Sequence, residues 1–369
     1  MGTKEEQHND SALRVNEGIP QPPAISEESV ERFKHIRRPR ISVEEYVEGI
    51  RRGDRTILSR AITLVESNLP AHHALAQQII QRCLPYSGNS FRIGITGVPG
   101  VGKSSFIETL GMHVVEKGHK LAVLAIDPSS ERTKGSILGD KTRMENLSSH
   151  PHAFIRPSPS AGSLGGVARK TRETIYLCEA AGFDVVFVET VGVGQSETTV
   201  HSMVDFFLLL ALAGAGDELQ GIKRGIMEMA DAIVITKVDG DNIERAMRAK
   251  AELQNALHFF PPAPSGWRPM VCTCSAHQRV GIHEIWQMIE EYHQHTLANG
   301  YFDQNRRLQA KFWIHQTLQE MINLSFYQHH EMVKLIDQVE QEVLSGKITS
   351  FEAAQRLFTR YSELITPKS

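Results

Sequence analysis

The stretch Gly97-Val98-Pro99-Gly100-Val101-Gly102-Lys103-Ser104 decides the fold of this chain. It matches the pattern G-x-x-x-x-G-K-S, which in nucleotide-binding proteins connects a strand to a helix. The apolar run 91–96 before it predicts a buried strand, and the residues from Ser105 onward predict a helix. The motif therefore stands in the context that a phosphate-binding loop requires.

Each part of this loop has a chemical task. Its glycines allow backbone amides to point inward at an anion, and the dipole of the following helix adds to that attraction. Lys103 would bring a positive charge to the β- and γ-phosphates, which makes it a catalytic candidate, and Ser104 offers a hydroxyl to Mg²⁺. The predicted phosphate-binding residues are Gly97, Val98, Pro99, Gly100, Val101, Gly102, Lys103, Ser104 and Ser105.

Short apolar runs alternate with helical stretches across residues 89–295. Runs without polar alternation are typical of strands that are buried on both faces of a parallel sheet, with helices as crossovers. The sequence therefore predicts an α/β fold with a doubly wound, mostly parallel sheet of the P-loop NTPase type. The predicted strands are 91–96, 121–126, 185–188, 206–210, 232–235 and 270–272.

The regions on either side of this domain have other patterns. Residues 1–41 are polar and carry several prolines, so we expect a disordered tail. Residues 42–88 show helical periodicity with one apolar face, which predicts an N-terminal helical segment packed on the next domain. Residues 296–369 are helical again and predict a C-terminal arm, which could fold back on its own core or dock a second copy. Of these two, we expect docking in a homodimer, since a two-fold partner is the commonest oligomer.

Composition narrows the classes of partner. The 369 residues include 40 basic and 43 acidic side chains, a net charge of -3, which favours neither nucleic-acid nor membrane-surface binding. The four cysteines are scattered, and no apolar run approaches the roughly 20 residues of a membrane span. The start of the chain carries acids and no apolar signal core. We expect a protein of the bacterial cytoplasm.

Acidic side chains near predicted strand ends suggest a magnesium site. Asp127 ends the second predicted strand, Glu189 ends the third, and Asp140 lies in a polar loop. Ligand groups gather at the carboxyl ends of strands in open α/β sheets, and Mg²⁺ prefers oxygen ligands. With Ser104, these acids are the candidate metal ligands. Acids that only solvate loops are the alternative.

The stretch Glu189-Thr190-Val191-Gly192 has the form of a γ-phosphate switch, in which the Gly192 amide could meet the terminal phosphate. We expect it to move with the nucleotide state. Gln195 could orient an attacking water, as glutamine does in GTPases. An ordinary loop glutamine is an equal alternative.

The stretch Thr236-Lys237-Val238-Asp239 follows an apolar run and indicates the base. A carboxylate at Asp239 can accept the N1 and N2 hydrogens of guanine, whereas adenine presents an acceptor at N1. Lys237 could lay its aliphatic stem along the base, and Ser275 and Ala276 could offer an amide to the guanine carbonyl. Asn is the usual residue where Thr236 stands, so selectivity for guanine could be looser.

Together these motifs resemble the MeaB/ArgK family of P-loop GTPases, in the SIMIBI class, whose mitochondrial relative is the methylmalonic aciduria type A protein. The resemblance runs from about Ser42 to the C-terminus. It is carried by residues 97–104, 126–130, 136–144, 188–197 and 216–225.

The resemblance implies a homodimeric GTPase chaperone that gates adenosylcobalamin delivery to methylmalonyl-CoA mutase, or a related acyl-CoA mutase, and protects that enzyme. It also implies that Ser104, Asp127, Asp140 and Glu189 surround Mg²⁺ beside GTP or GDP. It further implies an extra switch loop over residues 217–224 that contacts the partner. The candidate residues of that loop are Asp217, Glu218, Gln220 and Lys223.

We hypothesise that Lys223 swings toward the nucleotide when the mutase binds and stabilises the negative charge of the transition state. Three other functions compete with this interpretation. A metallochaperone GTPase of the same class would need a cysteine relay, for which Cys272 and Cys274 are the nearest pair. A kinase acting on a transport protein would need a base beside the γ-phosphate. A scaffold that only holds nucleotide would not need a full magnesium site.

Overall fold

The computed structural model describes residues 41–127, 144–159, 164–190, 196–213 and 224–366. Across these ranges seven strands form one sheet, in which every pair of neighbours is parallel. The strands are β1 (Phe91–Gly97), β2 (Leu121–Asp127), β3 (Ala153–Pro159), β4 (Val185–Thr190), β5 (Phe206–Leu212), β6 (Ala232–Thr236) and β7 (Met270–Thr273). Their order in the sheet is β3-β2-β4-β1-β5-β6-β7.

The centre of the sheet is buried on both faces. Every residue of β1, β4 and β6 is buried, because helices cover both sides. This explains why β6 and the first four residues of β4 are continuous apolar runs rather than alternating ones, while the buried Arg92 of β1 is paired with Glu179 at 2.8 Å. The predicted α/β fold with a doubly wound parallel sheet is confirmed.

Strand β3 is absent from the sequence prediction. It carries Arg156 and two prolines, Pro157 and Pro159, which do not resemble a buried strand. It lies at the edge of the sheet, beside β2 alone. Proline is tolerated there because an edge strand leaves one side of its backbone without a ladder partner.

Helices connect the strands and extend the chain at both ends. In the described ranges they are α1 (Val43–Arg51), α2 (Arg55–Glu66), α3 (Pro70–Cys83), α4 (Lys103–Glu116), α5 (Glu145–Ser149), α6 (Leu164–Ala180), α7 (Ser196–His201), α8 (Arg224–Met229), α9 (Ile243–Leu257), α10 (Ile282–Ala298), α11 (Tyr301–Tyr327), α12 (His330–Leu344) and α13 (Ser350–Ile365). Short 3₁₀ turns lie at Leu84–Tyr86 and Gly240–Asn242.

The N-terminal segment is three helices rather than one continuous run. Gly53 lies in the turn after α1 with φ of 75°, and Asp54 then caps α2 by accepting hydrogen bonds from the amides of Thr56 and Ile57 at 2.8 and 3.1 Å. The segment is attached to α6 through Lys170, whose ammonium donates to the carbonyl of residue 66 at 2.8 Å. The predicted packing of this segment therefore includes a specific polar contact beside its buried apolar face, which contains Leu58, Ile62 and Val65.

The C-terminal helices begin with the 27-residue helix α11. Its first half is anchored on the connection between α7 and β5. Arg306 forms a salt bridge with Asp205 at 2.7 Å, and Gln309 donates to the Val204 carbonyl at 2.7 Å. Trp313 donates to the carbonyl of residue 202 at 3.0 Å. Both helical regions that the sequence predicts are present, while the domain boundaries remain predictions.

Among the residues that the structure describes, no helix is both long and apolar enough to cross a membrane.

Candidate functional site

The candidate site lies at the carboxyl end of the sheet. In this register Glu189 of β4 stands opposite Ile95 of β1 and Ala125 of β2, so the ends of these three strands lie side by side. The buried hydroxyls of Thr96 and Thr190 are 2.8 Å apart and join β1 to β4 at the same level. Groups carried past these ends converge on one cleft, as is usual in open α/β proteins.

The phosphate loop turns sharply out of β1. Gly97 has φ of 153°, and a Cβ atom there would lie 2.6 Å from the Leu210 carbonyl oxygen, so the neighbouring strand leaves no room for a side chain. Gly102 has φ of 93° and immediately precedes α4, which begins at Lys103. The loop thus ends on a helix N-terminus, where amides and the helix dipole favour anions.

Lys103 lies inside this loop. Its ammonium donates to the Gly97 carbonyl at 2.8 Å and to the Val98 carbonyl at 3.3 Å, and the residue is 9% exposed. Burial lowers the pKa of Lys103, while the carboxylates of Glu189 and Glu197 act in the opposite direction. The Lys103 ammonium is therefore held beside the first residues of the loop, with the buried acids Glu189 and Glu197 near it.

The wall opposite the phosphate loop is built from β6 and the segment after β7. Thr236 is the last residue of β6, and its hydroxyl donates to the Val101 carbonyl at 2.7 Å. Lys237 follows with φ of 57° and donates from its ammonium to the Gly100 carbonyl at 2.7 Å. A positive φ outside glycine is uncommon and often marks a functional turn. Two consecutive residues therefore attach this wall to the phosphate loop.

Asp239 and Ser275 form the other half of the wall. The buried Ser275 hydroxyl donates to the Asp239 carboxylate at 2.6 Å, which holds the carboxylate in a fixed orientation. The Val238 amide donates to the Cys274 carbonyl at 3.0 Å and fastens the same two segments through the backbone. Ala276 lies beside α4, where the Thr109 hydroxyl is shared between the Ser105 carbonyl at 2.9 Å and the Ala276 carbonyl at 3.2 Å. The Ser275 amide, a predicted donor to guanine, instead donates to the Val280 carbonyl at 3.1 Å.

Several predicted residues are brought together, and others lie outside the described ranges. Ser104 stands in the first turn of α4 and Glu189 near the end of β4. Asp127 ends β2, but its side chain is not among those that the structure describes. The predicted residues outside the described ranges are Asp140, Gly192, Gln195, Asp217, Glu218, Gln220 and Lys223.

Sequence reasoning missed three side chains of this cleft. Glu197 of α7 is 3% exposed and lies close enough to Lys103 to influence its pKa. Asn242 donates to the Lys237 carbonyl at 2.8 Å and supports the left-handed turn there. The third is Thr109, whose hydroxyl lies 3.2 Å from the Ala276 carbonyl. The one available signal was that Glu197 is an acid a few residues beyond Gly192 of the switch motif. Asn242 and Thr109 act through contacts that no local pattern contains.

The cysteines nearest the cleft do not resemble metal ligands. Burial raises the pKa of Cys274 to about 12 and also raises the pKa of Cys272 above its usual range. Both thiols therefore stay protonated near neutral pH, whereas zinc and nickel bind well only to a thiolate. Across the described part of the chain there is no group of three or more His, Cys, Asp or Glu side chains placed to hold a metal ion.

A parallel sheet whose first strand leads through this loop into α4 defines a P-loop nucleotide-binding protein. Residues 58–331 match the family described as methylmalonyl Co-A mutase-associated GTPase MeaB. The chain belongs to this family of GTPases.

Relatives extend over most of the chain. It is 51% identical over 316 residues to a probable GTPase of Mycobacterium tuberculosis, covering 86% of this chain and 94% of that protein. It is 45% identical over 329 residues to the mitochondrial methylmalonic aciduria type A homolog of Mus musculus, covering 86% and 79%. A solved structure described as LAO/AO transport system kinase has 39% identity and a TM-score of 0.69, covering 88% of this chain and 97% of that one.

Proposed function

We propose that this chain binds and hydrolyses GTP, and that it acts as a chaperone that gates adenosylcobalamin delivery to methylmalonyl-CoA mutase or a related acyl-CoA mutase and protects that enzyme. The proposal of GTP binding rests on one observation: Thr236 and Lys237 join the phosphate loop to the wall that contains Asp239, so that both line one cleft. Lys103 would meet the phosphates, and Asp239, held by Ser275 at 2.6 Å, would accept the N1 and N2 hydrogens of guanine. The mutase part rests on the names of the matching family and of the mouse relative.

The oxygen atoms at the carboxyl end of the sheet are suitable ligands for Mg²⁺. A hydroxyl at Ser104 and a carboxylate at Glu189 are hard donors of the kind that this ion takes, and Lys103 beside them would share the phosphate charge. We propose Ser104, Asp127, Asp140 and Glu189 as the residues that hold it. The bound ion would neutralise charge on the β- and γ-phosphates.

Signalling would begin at the segment that follows Glu189. We propose that Gly192 meets the γ-phosphate, that Gln195 orients water, and that the loop containing Asp217, Glu218, Gln220 and Lys223 contacts the mutase. Helix α7 follows this segment and leads into residues 202–205, on which α11 is anchored. We propose that a change at the γ-phosphate reaches the C-terminal helices through α7 and these contacts.

The C-terminal helices would pair two copies of the chain. Helix α11 carries large apolar side chains that are more than half exposed, among them Ile314 at 66% and Met321 at 63%. Phe351 and Phe358 of α13 are exposed at 79% and 68%. Apolar surface of this extent on neighbouring helices is typical of an association surface. We propose that residues 296–369 form the homodimer arm, which sedimentation of the full chain would test.

The function is tested with GTP that is labelled on the γ-phosphate. Label released as free phosphate, faster as a purified acyl-CoA mutase is added, supports a mutase-coupled GTPase. Label transferred to a partner protein would instead support a kinase, the activity for which the solved LAO/AO relative is named. A turnover rate that stays flat throughout the mutase titration contradicts the chaperone proposal.

The Lys223 hypothesis is tested in the same assay. A Lys223→Ala variant should still bind the mutase but lose the stimulation of turnover, because the added positive charge would be missing from the transition state. Unchanged stimulation in an intact complex contradicts it. The cytoplasmic location stays a prediction, since relatives include bacterial and mitochondrial proteins.

A further inference from the structure

Thr236 lies where the phosphate loop, or phosphate wall, joins the opposite wall of the cleft. That opposite wall is formed by residues 236–242 and 274–276 and is called the base wall below. Its side chain is 3% exposed, and its hydroxyl oxygen lies 2.7 Å from the Val101 carbonyl oxygen and 3.3 Å from that of Ala211. A threonine hydroxyl has one proton to donate, and a carbonyl oxygen can only accept. Either bond uses that single proton, so the hydroxyl donates within the protein.

Guanine needs a donor on the edge that Asp239 does not contact. N7 of a purine is an acceptor and is satisfied only by an N–H or O–H group. With N1 and N2 on Asp239 and the phosphates in the loop 97–104, the imidazole ring that contains N7 would lie between the two, toward the junction of β6 and the phosphate loop. An asparagine at position 236 would have two N–H protons, one for the loop and one for N7. Thr236 has only the first of these.

The neighbouring donors of this wall are also engaged. The Lys237 ammonium donates to the Gly100 carbonyl at 2.7 Å, and the Val238 amide donates to the Cys274 carbonyl at 3.0 Å. The Asn242 side-chain amide donates to the Lys237 carbonyl at 2.8 Å. These contacts fix the wall, and each holds its donor group against the protein backbone, with one proton directed at a backbone carbonyl.

We infer that this site recognises guanine through its N1 and N2 edge and does not read N7. The inference rests on the proposed binding of GTP. It makes Thr236 a positioning residue that ties β6 to the phosphate loop, and it assigns base discrimination to Asp239. Nucleotides in which N7 is replaced by C–H therefore bind as well as their parent nucleotides.

The test compares GDP with 7-deaza-GDP on the full-length chain by titration calorimetry, with ADP as a third ligand. The two guanine nucleotides should bind within about twofold of each other, since no protein hydrogen bond is lost. A loss of about fivefold or more for 7-deaza-GDP overturns the inference and leaves guanine binding intact. Equal affinity for GDP and ADP instead overturns the proposed guanine site, and the inference with it.

Variants at position 236 give a second, independent reading. Thr236→Asn supplies the missing proton, so it should prefer GDP over 7-deaza-GDP by about fivefold. Thr236→Ser keeps a single hydroxyl proton and should keep the wild-type ratio near one. Because only the ratio of two affinities is compared, a general loss of binding in either variant does not affect the result. A Thr236→Asn ratio near one would show that N7 does not face this position, and it overturns the part of the inference that traces the missing N7 contact to Thr236.

Discussion

The two walls of the cleft are built in different ways. In the phosphate loop, Lys103 bonds to carbonyls only six and five residues away in the chain, at Gly97 and Val98. In the base wall, the bond from Thr236 to Val101 joins residues 135 positions apart, and the bond from Thr109 to Ala276 joins residues 167 positions apart. The first wall is a local motif of backbone conformations. The second exists only once the sheet has formed.

The difference teaches where each kind of selectivity resides. The phosphate wall would respond to charge, which every nucleoside triphosphate shares, so damage there should weaken all of them equally. The base wall would respond to the pattern of donors and acceptors on the purine. Damage there should change the ratio between nucleotides, and the predictions below separate these two effects.

The largest expected effect is that of Lys103→Ala, which removes the buried cation of the phosphate wall. Loss of one positioned charge of this kind lowers turnover by about 100- to 1,000-fold. Hydrolysis of GTP and of ITP should fall by the same factor, because neither base contacts this residue. Steady-state phosphate release measures both rates.

The matched control for that variant is Lys117→Ala, which removes an exposed lysine from the other end of α4. It should leave both rates near their original values. A Lys103→Ala variant that loses less than about tenfold, or loses GTP hydrolysis selectively, would contradict the division between the walls.

The next effect is that of Asp239→Asn, which changes the pattern of the base wall. The amide offers one acceptor and one donor where the carboxylate offered two acceptors, so it fits xanthine, with a carbonyl at C2, better than guanine. The ratio of GTP to XTP affinity should shift by about 100-fold toward XTP, since charge-assisted hydrogen bonds are exchanged. Competition binding with the two nucleotides measures the shift, and equal weakening of both would count against Asp239 as the base reader.

The sequence predicted the phosphate wall almost completely and the base wall only in part. The glycines and Lys103 form a contiguous pattern whose conformations are set locally, so the motif carries its own geometry. Asp239 was proposed from its short motif, and its contact with the base stays a prediction. The tethers of Asn242 and Thr109 were not, because each depends on which segments the sheet brings together.

The fold was predictable to a similar degree. Buried central strands such as β1 and β6 are visible as apolar runs, because both of their faces are covered. Strand β3 was missed since an edge strand is selected by its place beside β2 rather than by its own composition. The joins between the N-terminal helices depend on single residues such as Gly53 and Asp54, which periodicity does not resolve.

A third prediction concerns the strand that carries the base wall. Asp231 immediately precedes β6 and accepts a hydrogen bond from the Phe207 amide at 2.8 Å. Burial of its carboxyl group raises the pKa of Asp231 from 3.8 to about 7. The folded chain then holds this proton more strongly than the unfolded chain. The resulting stabilisation is complete below about pH 4 and is lost as pH rises to about 7.

Asp231→Asn cannot ionise, so it should lack this loss of stability. Between about pH 5.5 and 7, the free energy of unfolding of the wild type should fall by about 1 to 2 kcal/mol relative to the variant. Urea unfolding at both pH values measures it. Asp241→Asn, at an exposed acid beyond the other end of β6, is the control and should keep the wild-type slope. A parallel pH dependence in wild type and Asp231→Asn would rule the effect out.

The smallest expected effect is that of Ser275→Ala, which removes the hydroxyl that orients Asp239. GTP affinity should fall by about fivefold, or about 1 kcal/mol, the typical net value of one hydrogen bond, because the carboxylate itself is retained. Ser265→Ala is the matched control, because Ser265 is also buried but accepts its hydrogen bond from Trp267, away from the base wall. It should leave GTP affinity unchanged.

The double variant Asp239→Asn with Ser275→Ala separates orientation from direct contact. If Ser275 acts through Asp239, its removal should cost less once the carboxylate is gone, so the two effects on GTP affinity should fall short of their sum. Full additivity in this cycle would mean that Ser275 contacts the nucleotide itself. The base wall would then read guanine at two independent points instead of one carboxylate held in place by its neighbour.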